Sequence, residues 1–437
     1  MSGIGAKHIL NDNSPHYPLD PVVSTAHLTE HIELRPTIGA IAPDGTAEFD
    51  ISLDADVLKK LTLELHLSAI ANEVATQSAY VNWIGLACWD EITVRFGTEK
   101  LQTTIRSEEM YAKINKLMDD EERLMAQKML GFDTLANRAA AAATAQYVYV
   151  PLYTLLGLHI GADPSQSIFV RGLGERLNLR IHFRPFNKWI EANGSLASPT
   201  SATTVLSDSY LLCEYEHVYD DERAKLEQIY SMPRRYVFDE YQYNSTVRIP
   251  GTQALSGSLD VELRNFNQPV SFWVVIFRWA ADLDRVNLLA DPGLVEATFG
   301  FRAFNVDDWY NAGDPLISHV TVKSGSSNFI LKRSPVQRLV TYEHARVYKG
   351  SNDVGVISWS HSYDPSRPNA VLGFVDPSQM ERPVLTLEFS GTAAAYATIN
   401  AAATALLGAN SDLDVTVLAA TKNQLNFDNH QVRHPFN

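Results

Sequence analysis

The chain has 437 residues, 45% hydrophobic and 20% charged, a balance that supplies a large apolar core and excludes a disordered or fibrous chain. Its formal charge is −15 and its sequence pI about 5.3, which argues against a protein that grips nucleic acid directly, because such contacts need a basic face. Cys88 and Cys213 are the two cysteines; they allow at most one bridge and fit buried thiols in a reducing compartment.

The opening MSGIGAKHIL carries neither an apolar signal-peptide run nor a glycine at position 2, so neither secretion nor myristoylation is expected. Ser107–Leu130 sets Met110, Ile114, Leu117, Met118, Met125 and Met129 at helical spacing against a wet DDEER side, predicting a helix. It lies in a long connection, Gly97–Gln146, far beyond the usual length of about four to six residues. Ala139–Leu158 and Gly391–Asn410 are uncharged but rich in Ala and Thr and interrupted by Pro, Gly, Asn or Gln. They read as loops or buried segments, not as membrane spans.

LNLRIHFR alternates strictly, with Leu177, Leu179, Ile181 and Phe183 on one face and Asn178, Arg180, His182 and Arg184 on the other. Asp220–Tyr230 is a short polar helical patch near mid-chain. Strands stop before it and resume after it, so it reads as a connector between two β domains. Beyond it SLDVELR, with Leu259, Val261 and Leu263 inward, and the runs Ile317–Lys323, Val384–Phe389 and Leu413–Ala419 repeat the alternation. Phe272–Phe277, FWVVIF, is apolar throughout, as for a strand covered on both faces. The organisation expected is an arm over 1–25, a first β domain over 26–218, a connector over 219–232 and a second β domain over 233–437.

Motifs that carry chemistry are weak. Gly172 and Gly174 in VRGLGERL lack the third glycine of a dinucleotide fingerprint, since Leu177 stands there, and read as a strand-turn pair. His430 and His434 have metal-ligand spacing but sit beside Pro435 in a tail that reads as solvated. The acidic run Asp119–Glu122 reads as the wet side of a helix rather than a cation site. Sequons begin at Asn193 and Asn244, with no secretory route to fill them. No catalytic residue, cofactor site or metal site is expected, and the chain reads as a non-enzyme.

Several stretches, taken in order, resemble the double jelly-roll major capsid proteins of the nucleocytoplasmic large DNA viruses. DADVLKKLTLELHL (Asp54–Leu67) resembles the family's strand entry, and YVNWIGLACWDEITVRFG (Tyr80–Gly97) its Asn-x-Ile-Gly run. YVPLYTLLG (Tyr149–Gly157), LNLRIHFRP and LRNFNQPVSFWVVIFR follow, the last with Gln268 where the family has histidine. ISWSHSYDPSRPNAVLGFVD, residues 357–376, is similar to a strand–turn–strand near the end of the second jelly roll. Trp359–Ser360, Pro365, Pro368, Phe374 and Asp376 keep its landmarks, while Asn369–Ala370 and Gly373 depart from it. The Gly-Asn-Pro-Gln motif near the start of close relatives is replaced by HILNDNSPHYPLD.

The resemblance implies an all-β fold of two tandem eight-stranded antiparallel jelly rolls, with short connector helices and long inserted loops. It implies a capsid structural protein whose homotrimers form pseudo-hexagonal capsomers that tile an icosahedral shell of a large double-stranded DNA virus. Neighbouring capsomers and minor capsid proteins would be partners. Nucleic acid would not be touched directly, and an internal membrane would lie nearby without being spanned. The place would be the virion, after assembly in the host cytoplasm. The connections Gly97–Gln146 and Asp282–Asp314 would form the capsomer towers. The alternatives are a minor capsid or penton-associated paralogue, a carbohydrate-binding β-sandwich and a cupin-like enzyme.

Overall fold

The computed structural model describes the chain from residue 28 to residue 433, apart from 52–54, 71–77, 98–100, 153–167, 193–205, 250–256, 280–316, 340–355, 362–372, 390–412, 429–430 and a few isolated positions between them. The first half is built from β1 (Leu28–Leu34), β2 (Thr46–Ile51), β3 (Val57–Leu67), β4 (Trp89–Phe96), β5 (Leu101–Arg106), β6 (Gln146–Pro151), β7 (Leu177–Phe183) and β8 (Tyr210–His217). The second half is built from β9 (Arg234–Tyr243), β10 (Ser258–Glu262), β11 (Val270–Trp279), β12 (Ile317–Ser324), β13 (Asn328–Pro335), β14 (Val356–Ser360), β15 (Pro383–Phe389) and β16 (Leu413–Asp428). Shorter strands such as Ile38–Gly39 and Gln431–Arg433 pair at the margins.

Both halves wind alike. One sheet runs β1–β8–β3–β6 and faces β2–β7–β4–β5; in the second half β9–β16–β11–β14 faces β10–β15–β12–β13. Counted within each half, the order is first–eighth–third–sixth against second–seventh–fourth–fifth, with antiparallel neighbours throughout. That is the winding of a jelly roll, made twice in one chain. The duplication lies in topology rather than in any repeated sequence.

Alternation explains the cores. Along β7 the buried Leu177, Leu179, Ile181 and Phe183 face inward, and the register sets Leu179 beside Phe49 of β2 and Val94 of β4. Full burial of such a side chain contributes roughly 1.5–3 kcal/mol, so one face of one strand outweighs many exposed ion pairs. In the second sandwich Val261, Trp273, Val275, Val320, Leu385 and Val417 form the corresponding centre.

The connection Gly97–Gln146 is not a bare loop. It contains β5, paired with β4 from Glu91 opposite Arg106 to Phe96 opposite Leu101. The single helix expected over Ser107–Leu130 is two, α2 (Ser107–Lys116) and α3 (Asp120–Met129). They follow the short α1 (Ile84–Ala87) and precede α4 (Leu135–Ala141); α5 (Asp220–Tyr230) is the mid-chain connector. At Gly85 a Cβ would stand 2.8 Å from Leu130 Cδ2 and 3.1 Å from Leu130 Cα, so only glycine lets the end of α3 close on α1. Trp89 donates its indole N–H to the Gly85 carbonyl at 2.7 Å, tying the start of β4 to the same turn. Asp282–Asp314 and Gly391–Asn410 lie outside the described residues. No helix among the described residues is long and apolar enough to cross a membrane.

Candidate functional site

Among the described residues the sequence candidates for chemistry do not converge. Gly172 closes a single 3-10 turn, Val170–Gly172, whose amide–carbonyl bond from Leu173 to Val170 makes it a chain reversal. Glu121 is exposed and Glu122 half-buried on α3; Asp119 lies outside the described residues, as do Asn193, His430 and His434. Asn244 is buried, with its amide donating to the Glu262 carbonyl at 2.8 Å and its oxygen accepting from Asn265 at 2.9 Å, so a glycan there would require unfolding. Among the described residues no group of three or more His, Cys, Asp or Glu side chains could hold a metal ion. Cys88 and Cys213 are buried and free, and burial pushes both thiols up, Cys213 to about 12. They are thiols, not thiolates, at neutral pH.

In residues 357–376 the described parts do structural work. Ile357–Ser360 belongs to β14, and Val375 exchanges backbone bonds of 2.7 and 2.9 Å with Val270 of β11. Asp376 caps the turn Pro377–Gln379, its carboxylate accepting from the Ser378 amide at 3.0 Å and from the Ser378 hydroxyl at 2.6 Å. Pro365 and Pro368 lie outside the described residues.

What the chain does assemble is a seam between its two sandwiches. β5 runs straight into α2, which buries Met110, Tyr111 and Ile114. The outer face of β9–β16–β11–β14 brings Tyr241, Phe272, Val274, Ile276, Leu418 and Ala420 into the same apolar cluster as the first sandwich's core. FWVVIF is therefore covered on both sides, with Phe272, Val274 and Ile276 toward the seam and Trp273 and Val275 toward the second core.

Polar groups fix the register of the seam. The Tyr243 hydroxyl donates to Glu109 Oε2 at 2.8 Å and accepts from the Arg106 amide at 3.2 Å. Lys113 Nζ lies 3.1 Å from Glu109 Oε1 and 4.8 Å above the Tyr241 ring, while the Arg106 guanidinium sits 4.7 Å above Tyr243. Burial pushes the Glu109 carboxyl up against the pull of Lys113, and burial with the Glu109 charge holds Tyr243 well above its ordinary value. This network positions two bodies and offers no nucleophile.

A second anchor holds the connector. Buried Asp56 accepts from the Val218 amide at 2.9 Å and from Arg223 Nε and Nη2 at 2.7 and 3.0 Å. Burial pushes the Asp56 carboxyl up, but the Arg223 bonds, the Val218 amide and the Arg171 charge outweigh it and leave it below the usual carboxylate value. The start of α5 is thereby clamped to the first sandwich.

The centre of the second sandwich should lose stability in acid. Trp273 and Trp359 stack at 6.0 Å, Phe266 meets Trp273 edge-on at 5.0 Å, and the Trp273 indole donates to His361 Nε2 at 3.2 Å. That bond needs an unprotonated Nε2, and burial lowers the His361 pKa to about 4. Between pH 6.5 and about 4 the unfolded chain takes up a proton that the fold refuses, so stability present above 6.5 is lost as pH falls. The loss is about 3 kcal/mol at most. Denaturant titrations of the wild type and His361→Gln across this window should show a steeper fall for the wild type; parallel curves would overturn the account.

No family model matches the chain, and no curated protein matches it. In fold it is similar to PBCV-1 VP54, as fitted into a reconstruction of the virophage Sputnik, with TM-score 0.72, 14% identity and coverage of 96% of this chain and 99% of that one. The quasi-atomic PBCV-1 capsid model gives TM-score 0.71, 12% identity and coverage of 96% and 99%. The Faustovirus major capsid protein gives 0.62, 10% identity and coverage of 94% and 93%. The double jelly-roll fold is thus shared along nearly the whole chain.

Proposed function

We propose that the chain is a viral capsid structural protein, three copies of which close into a pseudo-hexagonal capsomer of an icosahedral shell around a large double-stranded DNA genome. The observation that carries this reading is the end-to-end likeness in fold to capsid proteins. The duplicated winding supports it physically, since two like sandwiches per chain and three chains give six similar units around a ring. In this reading residues 26–218 and 233–437 are the two jelly rolls joined by 219–232. The chain is not an enzyme, has no cofactor, and lies outside both membrane and DNA, which suits its charge of −15. Its partners are its own copies, neighbouring capsomers and minor capsid proteins, in the virion after assembly in the host cytoplasm.

The test is the solution mass. Three copies of 48.6 kDa give about 146 kDa by light scattering, and ring contacts should each bury on the order of 2,000 Å². A protein that stays monomeric across micromolar concentrations overturns the reading.

A further inference from the structure

β1 is the edge of its sheet and, among the described residues, pairs with β8 alone. Apolar burial does little for its first half. Leu28 is 67% exposed, and it is Ile32 and Leu34 that reach the margin of the core. Besides backbone bonds, two histidine–carboxylate contacts of opposite polarity hold Leu28–His31 to β8. His31 of β1 stands opposite Glu214 of β8, with Nε2 3.8 Å from Oε2. Glu30 of β1 reaches His217 of β8, with Oε2 2.6 Å from Nε2. Consecutive residues of a strand point to opposite faces, so the two contacts grip β1 from both sides of the sheet.

His217 lies between two carboxylates. Its other ring nitrogen, Nδ1, is 3.9 Å from Oδ2 of buried Asp56. A carboxylate only accepts, so the 2.6 Å contact requires a proton on Nε2. A neutral imidazole then turns the lone pair of Nδ1 toward Asp56. Protonation replaces that approach of two acceptors by an N–H facing a carboxylate, and makes the Glu30 bond ionic.

The other charges at this corner are Arg223 and Asp220 of α5 and Arg171 of the 3-10 turn, which also meets Glu227. The two arginines share Asp56, whereas Glu30 has His217 as its one cation among the described residues. On the opposite face Lys60 already pairs with Glu214 at 3.2 Å, so His31 adds a weaker second cation there.

We propose that His217 is a proton-operated clasp on the edge strand. As an imidazolium it bridges Glu30 and Asp56, and fastens the start of β1 to the carboxylate that anchors the connector. Without that proton it keeps one carboxylate and faces the other with a lone pair, and residues 28–31 peel from β8. The proton favours the docked strand, so docking is complete in mild acid and weakens as pH rises through the histidine range. The sign is opposite to that at His361, where the fold refuses the proton. Peeling bares the edge of β8, and an unpaired strand edge is a template for another strand. The clasp stands independently of the capsid reading.

Hydrogen exchange followed by mass spectrometry at about pH 6 and about pH 8.5, corrected for intrinsic rates, tests it on the wild type, His217→Gln, Glu30→Gln and His31→Gln. Protection of the Leu28–Leu34 amides in the wild type should fall about fivefold toward the higher pH, the scale of one partly exposed ion pair. Amides of β7 serve as the unchanging reference. His217→Gln, whose amide can still donate to Glu30, should hold its protection within about twofold, and Glu30→Gln likewise. His31→Gln should keep most of the fall. Flat protection in the wild type overturns the clasp, and so does a fall that persists in His217→Gln. Should circular dichroism show His217→Gln misfolded, Glu30→Gln, a change at a half-exposed side chain, decides by the same readout.

Discussion

Replacing Asp56 by alanine is expected to destabilise the fold by about 3 kcal/mol, near the lower end for removing one partner of a buried ion pair. The carboxylate is fully buried and meets the Val218 amide and two nitrogens of Arg223. Without it the amide and the guanidinium keep their desolvation cost and lose their acceptor. Arg223 is 24% exposed at its side chain and recovers some water, which keeps the loss from the top of the range. Urea denaturation measures it. Asp56→Asn, which can still accept from Val218, should cost less, and adding Arg223→Met to Asp56→Ala should recover part of the loss by removing the orphaned charge. Because the folded Asp56 value is depressed, its contribution is complete above the ordinary carboxylate range and disappears as pH falls through the folded value. The variant's stability should therefore vary less with acid than the wild type's. A cost below about 1 kcal/mol would mean that Asp56 is not an anchor of the connector.

Much of the fold was legible because a jelly-roll strand with one wet face writes itself as alternation. Leu177–Phe183 and Ser258–Glu262 carry that signature, and FWVVIF carries the different signature of a strand covered twice. β5 escaped because Gln102, Thr103 and Thr104 break the pattern, so LQTTIR looked like part of a connection. The break between α2 and α3 escaped because methionine spacing continues across it. The seam was beyond reach for a different reason. Glu109 and Tyr243 are 134 positions apart, and nothing local in SEEM or YQYN says that they meet. Asn244 shows the converse: a sequon is a local pattern, and the burial that closes this one cannot be read from it.

Val274→Asp is expected to separate the two sandwiches while leaving the second one folded. Val274 is fully buried, opposite Leu418 of β16 and Ser358 of β14, and its side chain lies on the seam face of β11 rather than among Trp273 and Val275. A carboxylate there stands in the apolar cluster with Phe272, Ile276, Leu418 and Ala420, and burying it unpaired costs several kcal/mol. The cheaper response is for the seam to open and let water reach the aspartate. The second core, centred on the Trp273–Trp359 stack, does not depend on that contact. Calorimetry should therefore resolve two transitions in the variant where the wild type shows one, with near-ultraviolet tryptophan signals surviving the first. Val275→Asp, one residue on and facing the other way, should instead abolish the second core and both signals together. A single transition in Val274→Asp within about 1 kcal/mol of the wild type would show that the apolar face of β11 is not what joins the sandwiches.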